Sequence, residues 1–378
     1  MSGLQVIHLA TAHRAGDPRI FQKECRTLAG AGYEVSYVLP HERDEVKDGV
    51  QLLGVPQPRN GRERILTTTR AVLRRATQFA RDRRRTVLHA HDAELLPGLL
   101  MLQARGWKTV YDAHEDTPKQ MRYQHWIPAP LRPLASLYYQ GLEAMAGRLC
   151  EAVVAAEPLN ARRFPDANTV LVHNYPIISE LETSDPHPYA ERANVITYVG
   201  ALTEVRGIRE MMHAVDIVPA TLDAELRLAG PFHPASLADS VCSFQGNAHT
   251  RFLGYLDRLQ VAEELSRAKI GIVTLHPTPK YLESYPTKLF EYMAVGLPVI
   301  ASDFPGWRHI VQSAGCGLLV DPLDPQAIST AITWLLGNPS EAEKMGMRGR
   351  AAVETRYSWE QEAPRLLALY ERLTRQMA

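Results

Sequence analysis

The sequence predicts two doubly wound α/β domains in tandem, and three observations carry that expectation. Short runs rich in Val, Ile and Leu alternate with segments of helical period. The alternation breaks once, at a polar, proline-bearing stretch over residues 179–194, and then restarts. The chain has 378 residues, of which 45% are apolar and 22% charged, enough to build two buried cores.

In the first half the apolar runs place strands at 5–9, 34–39, 86–89, 109–111, 152–154 and 170–172. Between them the helical pattern covers 17–31, 63–83, 94–105 and 131–148. After the break, strands are expected at 195–199, 225–228, 270–274 and 299–300. Helices are expected at 208–218, 258–268 and 287–295 and from Pro325 onward. Strand–helix alternation of this kind gives a parallel sheet covered by helices on both faces. The expected organisation is a Rossmann-like domain over 1–178, a linker over 179–194 and a second Rossmann-like domain over 195–358. Open parallel sheets bind ligands beyond the carboxyl ends of their strands, so two such domains facing across a cleft would place the chemistry in that cleft.

The composition excludes several classes. No apolar run reaches the roughly 18 residues of a membrane span. The N-terminal Met1-Ser-Gly-Leu-Gln-Val-Ile-His has neither the basic start nor the long apolar stretch of a secretory leader. Cys25, Cys150, Cys242 and Cys316 lie far apart without a Cys-x-x-Cys, which suggests neither a disulfide framework nor a zinc site. A cytoplasmic protein is expected. The 42 basic and 42 acidic residues cancel, but residues 1–175 hold 24 and 18 of them, and the remainder hold 18 and 24. Ten arginines fall between Arg59 and Arg85, where Glu63 and Asp82 alone oppose them. At about 100° per residue, Ile65, Thr69, Val72, Ala76 and Phe79 share one helix face, with Arg70, Arg74, Arg81 and Arg85 opposite. That stripe is either a solvated face or a peripheral contact with anionic lipid. No aromatic residues interleave it as a nucleic-acid platform would require.

The most informative segment runs Tyr281-Leu-Glu-Ser-Tyr-Pro-Thr-Lys-Leu-Phe-Glu-Tyr-Met-Ala-Val-Gly-Leu-Pro. Ser284 is the expected N-cap, Pro286 suits the first turn, and Gly296 ends the helix. Free N–H groups at that helix start, together with Lys288, would attract an anion. One turn on, Glu291 could present a carboxylate to vicinal hydroxyls. A capped core helix with a solvated Glu is the plain alternative.

Glu283, seven intervening residues and Glu291 resemble the E-x7-E motif of the family-four retaining glycosyltransferases, which have the GT-B fold. Tyr198-Val-Gly-Ala-Leu-Thr-Glu-Val-Arg-Gly resembles that family's first donor-domain strand and basic loop. Phe252-Leu-Gly-Tyr-Leu resembles its nucleobase segment, and Cys316-Gly-Leu-Leu-Val-Asp-Pro its closing strand and turn. Asn174 matches the usual Asn before the linker.

The resemblance implies roles. Glu291 would hold the ribose hydroxyls of a nucleotide sugar, and Ser284, Tyr285, Pro286, Thr287 and Lys288 would meet its diphosphate. Gly200 and Arg206 lie in the basic loop, with Arg206 on the diphosphate. Tyr255 and Leu256 would line the base, and His114 would approach the transferred sugar. Glu283, as the first motif glutamate, would contact that sugar or be a solvated loop carboxylate. Ala201 stands where the family usually has a cation, which leaves Arg206 and Lys288 to carry the load or an arginine of the first domain to help. The resemblance further implies a helix over 359–376 that crosses back to the first domain.

The first domain would bind the acceptor. His13, Asp17 and Arg19 follow the first strand, His91 and Asp92 follow the strand at 86–89, and His114 follows the next. Imidazoles and carboxylates suit a polyhydroxyl acceptor, and His89 and His91 read as hydrogen-bonding groups rather than metal ligands. No Asp-x-Asp triplet is present, so no cofactor or metal is expected beyond the nucleotide-sugar substrate, with UDP or GDP favoured. The expected activity is transfer of a hexose-type sugar, with retention, to a glycan or lipid-linked acceptor, with no nucleic acid as partner. A sugar-nucleotide 2-epimerase of the same fold and an inactive sugar-nucleotide-binding protein remain as alternatives.

Overall fold

The computed structural model describes residues 3–124, 127–183, 187–242 and 248–377. The chain forms two compact units, one of Met1–Asn174 with Glu362–Ala378 and one of Tyr175–Gln361.

The first unit is built on a sheet of eight strands: β1 (Gln5–Leu9), β2 (Glu34–Pro40), β3 (Glu45–Lys47), β4 (Val50–Val55), β5 (Thr86–Ala90), β6 (Lys108–Ala113), β7 (Ala152–Ala155) and β8 (Thr169–Leu171). Their order is β3-β4-β2-β1-β5-β6-β7-β8, parallel throughout except for the antiparallel β3–β4 pair. The chain runs outward from β1 through β2 to β4, then returns to β5 on the other side of β1. That reversal opens a crevice beyond the ends of β1 and β5, where the loops at Thr11–Asp17 and His91–Asp92 part. The central strands are buried on both faces, as a sheet covered on both sides requires, and among their apolar residues they also bury His8, His89 and Asp112. Ile7, Leu9, Leu88 and Ala90 pack with Val72 and Ala76 of the helix Thr69–Phe79. Each buried Leu or Ile contributes about 1.5–3 kcal/mol to that core.

The second unit carries β9 (Val195–Val199), β10 (Glu225–Ala229), β11 (Thr250–Gly254), β12 (Ile270–Val273), β13 (Val299–Ser302) and β14 (Gly317–Val320). All pairs are parallel, in the order β11-β10-β9-β12-β13-β14. Here the reversal lies between β9 and β12. Alternate residues feed two cores: Ile196, Tyr198, Ile270 and Ile272 pack on one face, Val195 and Val273 on the other.

Several expectations need correction. The pair β3–β4, turned at Asp48-Gly49 with positive φ at both residues, adds an antiparallel edge that the apolar runs did not announce. The helix expected over 63–83 ends at Phe79, because Ala80 turns extended and Asp82 caps a separate short turn, Arg83–Arg85. Arg70 and Arg74 therefore share a helix face that Arg81 and Arg85 do not. Arg81 instead pairs with Glu34 at 3.0 Å. The boundary between units falls after Asn174, and much of the expected linker is packed: Leu181 and Tyr189 are buried in the cores of the second unit. Residues 184–186 of that stretch lie outside the described residues. The last helix, Trp359–Met377, joins the first unit from Glu362 on. There Glu362 accepts from the His173 N–H at 2.9 Å, and the Tyr370 hydroxyl meets His89 Nδ1 at 2.9 Å.

Candidate functional site

In the first unit the crevice beside β1 and β5 is walled by ionisable groups that satisfy one another. Asp92 accepts the Thr11 N–H at 2.6 Å and the Ala12 N–H at 3.3 Å, which shapes the loop after β1. His13 sits between two carboxylates, with Nδ1 2.8 Å from Asp17 and Nε2 3.4 Å from Asp92. Burial works against a charged imidazole there, but the hydrogen bonds to Asp17 and Asp92 outweigh it and push His13 up to about 10. The same bond, with the N–H groups of Ile20 and Arg19, overcomes burial at Asp17 and holds its carboxyl down to about 2.

Below this surface layer lies a second set. Arg19 grips Asp112 with two parallel bonds of 2.8 and 3.1 Å and reaches Glu24 at 3.2 Å. His91 lies 3.1 Å from Asp112 and 2.8 Å from His8. Burial raises Glu24 and lowers His8, His89 and His91, whereas the Arg19 charge overrides burial at Asp112 and keeps it ionised.

The structure thus divides the expected acceptor residues. His13, Asp17 and His114 are partly exposed, and the His13 and His114 rings meet edge-on at 5.4 Å. Arg19 and His91, only 5% and 2% exposed, are corrected from contact residues to buried supports, because their partners lie inward. Asp92 is nearly buried and shapes the loop. His114 Nδ1 is 3.8 Å from Asp112, the carboxylate that Arg19 fixes. A cavity of about 590 Å3 opens above, lined by Thr11, His13, Arg14, His41, Gln57 and Arg64 among others. Among the described residues, two groups have ligand atoms close enough to gather on an ion: His8, Glu24, His89 and His91, and His91, Asp112 and His114. The direct His8–His91 bond and the Arg19 grip on Asp112 already engage both.

In the second unit the loops after β9 and β12 converge on a different arrangement. Gly200 has φ +151°, and a Cβ there would lie 2.2 Å from Lys288 Cε and 3.1 Å from Arg206 Nη1. Two cations therefore meet over bare backbone. Arg206 is aimed by a bond of 3.1 Å to the Tyr198 hydroxyl. The turn behind it depends on Gly207, at φ +73°, where a Cβ would stand 2.1 Å from the Thr274 carbonyl oxygen. Burial lowers the Lys288 pKa; Glu291 opposes that, and Arg206 and Arg258 reinforce it.

Lys288 lies in the first turn of the helix Thr287–Ala294. Ser284 was expected to cap this helix, but the N-cap is Pro286, which makes no side-chain cap bond. Ser284 instead ends the preceding turn Pro279–Glu283, and its carbonyl accepts from the Trp307 indole at 2.8 Å. The loop Ser284-Tyr285-Pro286 is thereby pinned from its carbonyl side, and the first N–H groups of the helix meet no side-chain cap. One turn on, Glu291 accepts from Arg258 at 2.7 Å through one oxygen. The sequence reading missed Arg258, which stands 33 residues from Glu291; the capping box Asp257–Gln260 that starts its helix was the available signal. Tyr255 is exposed, while Leu256 rests on the core. Glu283 is exposed at the end of its turn.

Comparison with known proteins covers both units. The family described as Glycosyltransferase Family 4 matches residues 19–168, and the one described as Glycosyl transferases group 1 matches residues 180–352. A phosphatidyl-myo-inositol mannosyltransferase of Mycobacterium tuberculosis is 28% identical over 332 residues, 84% of this chain and 82% of that protein. An MMP alpha-(1->4)-mannosyltransferase of Mycolicibacterium hassiacum is 24% identical over 319 residues, 80% of this chain and 75% of that protein. Among solved structures, a sucrose-phosphate synthase from Thermosynechococcus elongatus has a TM-score of 0.74 at 20% identity, covering 99% of this chain and all of that one. The Anabaena protein HepE in complex with UDP and glucose has a TM-score of 0.72 at 14% identity, covering 98% of this chain and all of that one. These last two likenesses concern the fold.

Proposed function

Because the chain belongs to the family-four glycosyltransferases of GT-B fold, we propose that it moves a hexose, with retention, from a nucleotide-diphosphate sugar to an acceptor hydroxyl in glycoconjugate synthesis. The observation that carries the donor reading is the pair of cations, Arg206 and Lys288, meeting over Gly200 at an uncapped helix start. When the bond between the anomeric carbon and the diphosphate breaks, negative charge grows on the leaving oxygen. Fixed cations and helix N–H groups stabilise that charge without reorganising. Burial around Lys288 strengthens the attraction by lowering the local dielectric. Glu291, held by Arg258, presents its carboxylate to the ribose diol. Ser284, Tyr285 and Thr287 flank the diphosphate, Tyr255 and Leu256 take the base of a UDP or GDP donor, and Glu283 faces the sugar.

In the first unit, His13, Asp17 and His114 offer the acceptor's hydroxyls both donors and acceptors, and Asp92 with Asp112 holds them in place. The acceptor oxygen attacks the face that the diphosphate leaves, its proton passes to the departing phosphate oxygen, and the new glycosidic bond keeps the anomeric configuration. The M. tuberculosis relative is named for a lipid acceptor, and a lipid-linked acceptor fits the exposed cations Arg70 and Arg74 as a peripheral membrane contact.

A thermal-shift panel of nucleotide sugars tests the donor, since a ligand bound only to the native state raises Tm. UDP- or GDP-hexoses should raise it, and no shift with any sugar nucleotide overturns the reading. Incubation with donor alone should leave the sugar's C2 configuration intact, whereas epimerisation would replace this reading with the 2-epimerase.

A further inference from the structure

In the first unit the helix Arg132–Leu149 turns Tyr139, Leu142 and Ala146 to the core. Its other side should be polar by the usual amphipathic rule. Instead Leu134 (63% exposed), Leu137 (64%), Tyr138 (55%) and Met145 (48%) stand in solvent, flanked by half-exposed Leu131 and Leu149. Their spacing of three, four and seven makes them one stripe rather than scattered surface residues, and Gly141 leaves the remaining gap flat. A contiguous apolar surface of this kind marks an interaction site.

The charges around the stripe select the occupant. The helices Thr69–Phe79, Leu96–Ala104 and Arg132–Leu149 share one core and so form one layer of the unit. Across these three helices the only carboxylate is Glu143, which is buried and ion-paired to Arg163. Arg132 and Arg148 on the helix, and Arg122 just before it, hydrogen-bond neutral oxygens of Ile127, Ala144 and Ser136, so their charge is not cancelled by those bonds. Arg70 and Arg74, exposed on the helix Thr69–Phe79, add two more cations to the same layer. An apolar stripe on a helix with a cation near each end and no exposed carboxylate of its own suits the boundary between anionic headgroups and acyl chains. A second copy of the chain would bring like charges against these.

We infer that the stripe Leu134, Leu137, Tyr138 and Met145, with these arginines, docks the first unit on an anionic lipid surface by inserting apolar side chains among the acyl chains. This deepens the membrane part of the reading above and rests on it only for where the acceptor waits. The arginines steer and the stripe inserts, so the contact is screened by salt only in part.

Co-sedimentation of the full chain with vesicles tests it, using phosphatidylcholine alone and phosphatidylcholine with phosphatidylglycerol. The wild type should bind the anionic vesicles and keep a measurable part of that binding at high salt. The combined variant Leu134→Glu, Leu137→Glu and Met145→Glu should bind at least about tenfold less, while its Tm shift with a nucleotide sugar stays that of the wild type. In a separate Leu137→Trp variant the added indole emission should move to the blue with anionic vesicles. No binding by the wild type at low salt, equal binding by the triple variant or an unmoved Leu137→Trp emission overturns the inference. So does a wild-type dimer that the triple variant turns monomeric, which would assign the stripe to a second copy. None of these outcomes touches donor binding, so the membrane inference and the glycosyltransferase reading fail separately.

Discussion

The charged groups of the two units are arranged in opposite ways. Around β1 and β5 nearly every charge has its counter-charge: His13 lies between Asp17 and Asp92, and Arg19 grips Asp112 and Glu24. Around β9 and β12, Arg206 and Lys288 converge with a tyrosine hydroxyl and bare backbone between them, and no carboxylate lies within ion-pair distance of either among the described residues. A compensated network holds its own geometry and offers its outer atoms to neutral hydroxyls. An uncompensated pair of cations is held at a cost in stability until an anion arrives. The first unit is thus built to keep its shape and the second to bind charge, so substitutions in the first should be read in stability and those in the second in turnover.

The hardest test of that contrast is the buried grip. Asp112→Ala removes the two-bond partner of buried Arg19 and leaves it only Glu24 as an ion-pair partner among the described residues, and breaking a buried pair costs about 3–5 kcal/mol of stability. Urea denaturation should show the loss as a lower midpoint, and an unchanged midpoint would mean the network does not hold the first unit together. The counterpart is Arg206→Ala, which should leave the unfolding free energy from urea denaturation within about 0.5 kcal/mol of the wild type. Its kcat should fall by about 10²–10³, equivalent to about 2.7–4 kcal/mol of transition-state stabilisation. A loss in KM alone would show that Arg206 binds ground state and transition state equally. Next in size, Glu291→Ala should weaken nucleotide-sugar binding by about 1.5–3 kcal/mol, measured by calorimetry. Unchanged affinity in a folded variant would remove the ribose assignment.

Per pH unit, the most gradual effect is a pH dependence. The His13 pKa in the fold is about 10, against 6.5 for an ordinary imidazole, so its contribution to stability is complete below the lower value. It is lost as pH rises through the upper one. Between them the folded protein holds about one more proton than the unfolded chain, and stability should fall by at most about 1.4 kcal/mol per pH unit. His13→Ala should flatten that slope in denaturation curves taken across this range, and an identical slope would place the titrating group elsewhere.

Some of this could be read from the chain alone. The central strands were legible because strands buried on both faces are rich in Val, Ile and Leu, as at 5–9 and 195–199, which the structure reproduces residue for residue. The edge pair β3–β4 was not: β3 has too few residues to show a period, and the apolar run of β4, announced by the Asp48-Gly49 turn, went unused. The Lys288–Glu291 turn was legible because its residues lie within one helix. The arginine stripe was misjudged because a helical wheel assumes a helix, and this one stops at Phe79.

By itself, the sequence determined the alternation of strand and helix, the two cores and the motif that carries Lys288 and Glu291, because those depend on residues near one another along the chain. The tertiary structure decided which charges meet. Arg19 finds Asp112 across 93 residues, Arg258 finds Glu291 across 33, and Arg206 and Lys288 close over Gly200. It also decided which side of the helix Arg132–Leu149 lies against the core and which stands in solvent. The physical reason is common to all of these. Electrostatic partnership and burial depend on distance in space, and a crossover sheet brings together loops whose separation in sequence carries no trace of their contact.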